Sequence, residues 1–388
     1  MFISEKMIKS ICVLGDHIQS LGVVRIAGRL GYDVTVMNND SVCVARFSKY
    51  CSQFVHFQSE CDLLGELLKL SNSDVLIIPT NDRLLRFVMN HYNLLTSNLT
   101  LSTPDSKVLE LCYNKKLTYQ KALDLNIPIP ASYFPETYEH LVELSKKLSY
   151  PVILKPAVMH KLYDKEGRKV YVCRNRAEVL SNYAHATTVV DPSEIIVQKL
   201  IAGRAKNLYS YCSFFANGKI YGGFSANRIR QKPMDFGVAT TFAISVAIEE
   251  LRNNALRFLS GIGYFGLSEV EFMYDPDDGV YKLIEINPRT WKWHTIANKL
   301  GINLLGMMID YLNGNEPDPM QNGVPNIGWI ESVTDTYVVL GEILKGRMSV
   351  PRYIRSVRIE KEHACVAKDD LLPALCYIMF LPYLFFAR

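Results

Sequence analysis

The run Glu269-Val-Glu-Phe-Met-Tyr-Asp-Pro-Asp-Asp-Gly-Val-Tyr-Lys-Leu-Ile-Glu-Ile-Asn-Pro-Arg289 reads as two strands joined by a tight turn. Asp275-Pro276-Asp277-Asp278-Gly279 supplies the turn chemistry. If Tyr274 pairs with Val280, period-two alternation puts Val270, Phe272, Ile284 and Ile286 on one face and Glu269, Glu271, Glu285 and Asn287 on the other. The first face is a core surface; the second carries three carboxylates and an amide. In that register Glu271 lies diagonal to Glu285, about 7 to 8 Å away. A divalent cation is the simplest way to keep such like charges together, and an all-oxygen set suits Mg2+ or Mn2+ bound with a phosphate. For such a hairpin taken alone, a solvated polar face is the competing reading.

Upstream, the first hundred residues alternate strand and helix. Ile11 to Gly15 and Asp33 to Met37 read as strands around a helix over Val23 to Leu30, and Val75 to Ile78 followed by a helix at Leu84 to Asn90 continues the pattern. This predicts a parallel βαβ layer. Gly15 and Gly22 do not form G-x-G-x-x-G, which argues against a nicotinamide cofactor. From Asn114 the character changes: a helix over Lys115 to Leu125 stops before Pro128 and Pro130, and strands dominate from Ile195 to Ile286. The cluster Asn313-Gly-Asn-Glu-Pro-Asp-Pro319 marks a further boundary. The expected division is 1–113, 114–313 with lobes of 114–197 and 198–313, and 314–388.

Two lysines frame the hairpin. Asn114-Lys115 opens a helix that leads into Asn126-Ile-Pro-Ile-Pro130, and Pro151-Val-Ile-Leu-Lys-Pro156 is an apolar strand closed by Lys155. A third strand, Val197-Gln-Lys-Leu-Ile-Ala-Gly203, follows, and then the hairpin ending in Glu285-Ile-Asn-Pro-Arg289. Each element is weak by itself. Their order and spacing resemble the ATP-grasp superfamily of nucleotide-dependent ligases, and the opening βαβ layer is similar to the domain that precedes the clamp in that superfamily. Arg228-Ile-Arg-Gln-Lys-Pro233 with Asp235-Phe-Gly237 is similar to a branch of predicted carboxylate-amine ligases that includes D-aspartate ligase.

The resemblance implies an α/β and α+β protein: a parallel-sheet N-terminal (pre-ATP-grasp) domain, a two-lobed ATP-grasp clamp and a C-terminal appendage. It implies ATP and Mg2+ (or Mn2+) as cofactors. Lys115 and Lys155 would sit on the α- and β-phosphates, and Gln198 with the backbone of Lys199 and Ile201 would read the adenine edge. Glu271, Glu285 and Asn287 would hold the metal, Arg289 would face the transferred phosphoryl or the acyl-phosphate oxygens, and Arg230 would be a second clamp on phosphate or carboxylate. The implied reaction is ligation of a carboxylate to an amine through an acyl phosphate, of the kind used on cell-wall or polysaccharide precursors. A biotin-carboxylase-like carboxylase and a non-catalytic ATP sensor are the alternatives, although no biotin-carrier lysine motif stands in the chain and a sensor has no need of all four of Glu271, Glu285, Asn287 and Arg289. The superfamily pattern is broken at two places. The glycine-rich flap after the second lysine is replaced by Ala157 to Tyr163, with Gly167 further on, so His160, Lys161 or Lys169 would substitute. Ala205 stands where a ribose-binding glutamate is usual, so either Asn207 would serve or the ribose contact would be weak.

The remaining features exclude more than they propose. The chain of 388 residues has 43 Lys and Arg against 39 Asp and Glu, so no general charge footprint points to nucleic acid. Nine cysteines without a C-x-x-C pair suit reduced thiols and a cytoplasmic compartment. Met1 to Ser10 lacks the apolar core of a signal peptide. There is no P-loop and no G-x-S-x-G elbow, and His294 reads more readily as a packed residue than as a base. Small-molecule substrates are the expected partners, and a homodimer is compatible with the pattern. Leu371 to Ala387 is almost continuously apolar, but Pro373 and Pro382 interrupt it and it is short for a span. It follows a segment in which Lys345, Arg347, Arg352, Arg355, Arg358, Lys361 and Lys368 face only Glu360 and Glu362, which suits either a packed helix or a peripheral contact at the inner face of a membrane.

Overall fold

The computed structural model describes residues 7–71, 74–203, 205–235, 237, 239–321 and 324–386. Strands β1 (Ser10–Leu14), β2 (Asp33–Asn38), β3 (Gln53–His56), β4 (Val75–Pro79) and β5 (Thr100–Leu101) form a parallel sheet in the order β3-β2-β1-β4-β5. The apolar runs of β1 and β4 are buried along almost their whole length, as a sheet covered on both faces by crossover helices requires. The chain steps from one side of β1 to the other between β2 and β4. That leaves a crevice at the carboxyl ends of β1 and β4, the place where open α/β sheets receive ligands.

A small antiparallel sheet follows, with β6 (Ser132–Tyr133), β7 (Val152–Pro156), β8 (Tyr171–Cys173) and β9 (Ile195–Lys199) in the order β6-β9-β7-β8. Leu154 of β7 and Val197 of β9 pack with Leu141, Val179 and Tyr183 from two helices laid on its back. The third sheet is the largest: β10 (Leu208–Ala216), β11 (Lys219–Lys232), β12 (Ala239–Val246), β13 (Gly266–Asp275), β14 (Val280–Asn287), β15 (Met320–Gln321), β16 (Gly328–Ile330) and β17 (Lys361–His363). Its path is β14-β13-β10-β11-β12-β16-β17, and β15 joins the side of β11. The segment after residue 313 thus contributes three strands to the large sheet.

The parallel sheet is not loosely tethered. One apolar core runs from Leu21 and Val24 of the helix Ile18–Arg29 to Phe224, Trp291, Trp293 and Met308. Gly22 makes this approach feasible, because a Cβ there would come within 2.6 Å of the His294 ring. His294 is accordingly a packed residue: burial pushes its imidazole down to about 4, and Nδ1 pairs with the Trp291 carbonyl at 2.8 Å.

The hairpin differs from the expected register. Asp275 pairs with Val280 and Tyr274 with Tyr281, while a bulge between Glu271 and Phe272 shifts the rest, so that Glu271 lies directly opposite Glu285 and Glu269 opposite Asn287. The extra residue is Ile284. Leu283 takes the expected core position with Val270, Phe272 and Ile286, whereas Ile284 turns to the same side as Glu285. The two carboxylates are therefore direct cross-strand neighbours, closer than the diagonal pair the alternation predicted.

The apolar terminus forms one helix, Leu372–Phe386. Pro373 sits in its first turn, where a missing N–H costs nothing, and the helix continues through Pro382 rather than stopping there. Its inner side packs on the parallel-sheet domain, with Phe380 and Phe47 rings 5.7 Å apart, and the Tyr377 hydroxyl donates to Glu331, just after β16 of the large sheet, at 3.1 Å. Among the described residues no helix is long and apolar enough to cross a membrane. Residues 1–6, part of the segment read for export, lie outside the described residues.

Candidate active site

Two cavities meet between the sheets. The first, about 810 Å3, lies between the carboxyl ends of β1 and β4, the end of the hairpin and the terminal helix. The second, about 870 Å3, lies between the small and large sheets. Lys115, Lys169, Arg228, Glu271 and Glu285 line both, so the charged row of the hairpin is the shared wall.

Local structure explains how each group arrives there. Asn114 caps the helix Lys115–Asp124 by accepting from the N–H groups of Lys116 and Leu117, which fixes Lys115 as the first helical residue. Its amine reaches Glu285 at 2.7 Å. Burial works against this charge, but Glu285 outweighs it and holds the amine above its usual range, while Lys115 and Lys169 pull the Glu285 carboxyl well below its own despite burial. Glu271 has the opposite fate. Burial raises it to about 8 against the pull of Arg228, with Glu285 adding to the rise. Asn287 donates to Glu271 at 2.8 Å and to Glu269 at 3.1 Å, and Arg228 pairs with both of these carboxylates.

Lys155, buried on β7, donates to the Tyr119 hydroxyl at 2.7 Å and to Gln198 Oε1 at 2.8 Å. The Tyr119 hydroxyl in turn donates to the carbonyl of the bulged Ile284 at 2.7 Å. Burial, reinforced by Lys115, lowers the Lys155 amine to about 7. Gln198 stands on the wall of the second cavity with its Oε1 accepting from Lys155 and its Nε2 donating to Ser132 at 2.8 Å, so it orients the lysine. The Lys199 N–H is engaged by Ala131 at 2.8 Å and its amine by Asp277 at 2.5 Å. Lys199 to Gly203, Ile201 included, nonetheless form the rim of the second cavity, beside the apolar walls of Val152, Ile153, Leu208 and Met273.

Arg230 is the clearest correction, because it does not face either cavity. Between Arg228 and Arg230 a bulge at Ile229 breaks the alternation of β11, so residues two apart point in different directions. Arg228 turns to the carboxylates and Arg230 to the other side. There it makes a two-pronged pair with Asp335, both contacts at 2.8 Å, and donates to Ser356 at 2.9 Å. Arg289 does reach the first cavity, held by Asp82 at 2.7 Å and by the Thr290 carbonyl at 2.9 Å.

Of the proposed flap substitutes, Lys169 lines both cavities and Lys161 is drawn away to Glu194 at 2.5 Å; the His160 side chain lies outside the described residues. The flap itself is a helix, His160–Glu166, closed by Gly167 at φ 65°. Asn207 donates to the Ala202 carbonyl at 3.1 Å and braces the rim loop. Sequence reasoning missed Arg228 as the partner of the carboxylates, the relay through Tyr119, and the contribution of Asp82, Arg83 and Arg86 from the end of β4. The Asn81-Asp82 helix cap directly after an apolar strand was the available signal for the last group.

The donor set fits a hydrated divalent cation. Glu271 and Glu285 face each other across one strand pair, and Glu271 is pushed up by burial, a strain that a dication would relieve. Among the described residues no group of three His, Cys, Asp or Glu is arranged as a complete metal site, so phosphate oxygens and water would complete the shell. Among the described residues the buried Arg228 Nε has no hydrogen-bond partner.

Comparison with known proteins gives the class. Residues 228–316 match the family model for the carbamoyl-phosphate synthase L chain, ATP binding domain. The biotin carboxylase domain dimer of Hydrogenobacter thermophilus 2-oxoglutarate carboxylase, solved with MgADP and bicarbonate, superimposes with a TM-score of 0.67 at 18% identity over 81% of this chain and 72% of that one. The Staphylococcus aureus N5-carboxyaminoimidazole synthetase complexed with ADP gives 0.67 at 14% identity over 88% of each chain. The chain therefore has the ATP-grasp fold. Among curated proteins it is similar to the arginine-specific mitochondrial carbamoyl phosphate synthase large chain of Schizosaccharomyces pombe, 24% identical over 68% of this chain and 23% of that protein. The carbamoyl phosphate synthase large chain of Methanobrevibacter smithii is 24% identical over 45% of this chain and 16% of its own length. The chain thus spans less than a quarter of these curated relatives.

Proposed function

We propose that the protein is an ATP-dependent carboxylate-amine ligase working through an acyl phosphate. The observation that carries this reading is the facing pair Glu271 and Glu285 at the junction of two cavities, one apolar and rimmed by a strand end, the other lined by cations. The second cavity takes ATP, its base along Lys199 to Ala202 and its phosphates toward Lys155, Lys115 and Lys169. Glu271, Glu285 and Asn287 would hold magnesium, which when bound would supply positive charge against the phosphates. The first cavity takes the acid, whose carboxylate approaches between Arg289 and the cations at the end of β4. A carboxylate oxygen attacks the γ-phosphorus and ADP leaves; the amine nitrogen then attacks the acyl carbon, inorganic phosphate departs, and the amine gives up a proton to leave the amide. Positioning and charge stabilisation suffice, with no protein nucleophile. The narrower likeness of Arg228 to Gly237 to the branch containing D-aspartate ligase supports an amine as acceptor.

ADP release measured across amino acids, peptidoglycan precursors and uronic-acid sugars tests the reading, with bicarbonate as a separate arm. Acceleration by one acid, with an amide product once an amine is added, is expected. Turnover with bicarbonate alone would move the protein to the carboxylases, and ATP binding without turnover in every arm would make it a sensor.

Lys155 gives a pH-linked prediction. Its amine sits near 7 in the free protein, and a polyphosphate favours the charged form, so ATP binding above pH 7 is expected to take up a proton and to weaken as pH rises. Calorimetry at pH 8 in buffers of differing ionisation enthalpy reads this directly. Lys155→Ala is expected to raise the ATP dissociation constant about tenfold or more, since a charge-assisted contact is worth roughly 1.5 to 3 kcal/mol, and to abolish the proton uptake. Unchanged affinity in a folded variant would remove Lys155 from the phosphate site.

A further inference from the structure

The helices Ser332–Leu344 and Val350–Val357 form a hairpin whose surface the ligase reading does not use. Leu340 and Leu344, four residues apart on one helix, and Val350 and Ile354, four apart on the other, all stand exposed, Leu344 to 88%. Apolar residues at this spacing normally face a core; here they face outward. The charges around them are almost all of one sign. Between residues 332 and 360 the exposed charged residues are Lys345, Arg347, Arg352, Arg355 and Arg358, with Glu360 the one exposed acid, drawn to Lys299 at 3.5 Å. The other two acids of the segment, Asp335 and Glu342, are buried, Asp335 beneath the Arg230 guanidinium and Glu342 within 3.9 Å of Arg347.

We propose that this hairpin is a docking surface for an anionic lipid bilayer, held peripherally by the apolar residues and by headgroup phosphates on the five cations. The charge pattern decides between occupants. A second copy of the chain, related by a twofold axis, would bring five cations against five, whereas an anionic leaflet neutralises all of them and accepts the leucines at its acyl boundary. The terminal helix is the weaker candidate. Leu375, Ile378 and Met379 are exposed on it, but Asp369 lies exposed just before it and the Tyr383 hydroxyl contacts Asp40, so no single-sign collar surrounds that side. The hairpin also adjoins the first cavity: Lys232, which lines that cavity, lies 5.2 Å over the Tyr337 ring of the first helix. A docked protein would therefore present its acid site close to the membrane.

Flotation of the full chain with vesicles tests this, using equal parts phosphatidylglycerol and phosphatidylcholine against pure phosphatidylcholine. Binding is expected only to the anionic vesicles. It is expected to be lost at high salt and to weaken at least tenfold in Leu344→Asp and in the double variant Arg352→Glu/Arg355→Glu, both unchanged in thermal unfolding and in ATP affinity. These positions are exposed and touch no part of the proposed nucleotide site, so a failure here leaves the ligase reading standing, and a failure of ADP release leaves this one standing. The proposal is overturned if the native protein stays with the soluble fraction at low salt, if it binds both vesicle types equally, or if Met379→Asp abolishes binding while the hairpin variants retain it. It is also overturned if ultracentrifugation shows a dimer that Leu344→Asp dissociates.

Discussion

Glu285→Gln is expected to slow ATP-dependent turnover at least a hundredfold at saturating magnesium, about 3 kcal/mol of transition-state stabilisation. The size follows from where Glu285 stands. It is the cross-strand neighbour of Glu271, it holds Lys115 at 2.7 Å, and its carboxyl is kept ionised by Lys115 and Lys169. The amide preserves shape and one acceptor oxygen but removes the anion, so a shared metal loses one of its two charged ligands and Lys115 loses its counter-charge. Single-turnover ADP formation across a magnesium titration separates weakened metal binding from slowed chemistry. A variant within threefold of the native rate would take Glu285 out of the metal site.

Arg230→Met is expected to act on stability and not on the site. Removing one partner of a buried pair leaves an uncompensated charge, at a cost of about 3 to 5 kcal/mol. Asp335 would keep the Thr241 hydroxyl at 2.8 Å and lose both arms of the guanidinium. Denaturant unfolding is expected to show this loss, with the ATP dissociation constant within twofold of native. A large loss of ATP affinity at unchanged stability would return Arg230 to the cavity and contradict the geometry.

The elements that were legible in the sequence are those whose burial is apolar and local. β1, β4, β7 and the hairpin strands announce themselves as short apolar or alternating runs between turn residues, and the order of Asn114-Lys115, Lys155, the Val197 strand and Glu285 to Arg289 pointed to the clamp. β11 runs well past its apolar stretch Ile220 to Phe224, as far as Lys232. Its second half, Ser225 to Lys232, is polar, and its burial rests on partners far along the chain: Glu269 and Glu271 for Arg228, Asp335 for Arg230. The two bulges were also hidden, because an extra residue leaves no mark in the alternation until the partner strand is known. Those bulges decide the site. One sets Glu271 opposite Glu285; the other sends Arg228 and Arg230 to different faces. Gln198 stood out by its place in a strand motif, and its partners, Lys155 and Ser132, emerge only once three strands are side by side.

The central claim is that an acid's carboxylate attacks ATP. Its most direct measurement uses the accepted acid labelled with 18O in both carboxylate oxygens, incubated with ATP, magnesium and the amine, followed by mass analysis of the released phosphate. An acyl-phosphate route predicts one 18O atom in each phosphate and one retained in the amide carbonyl. Phosphate free of label, with amide still formed, would contradict the account.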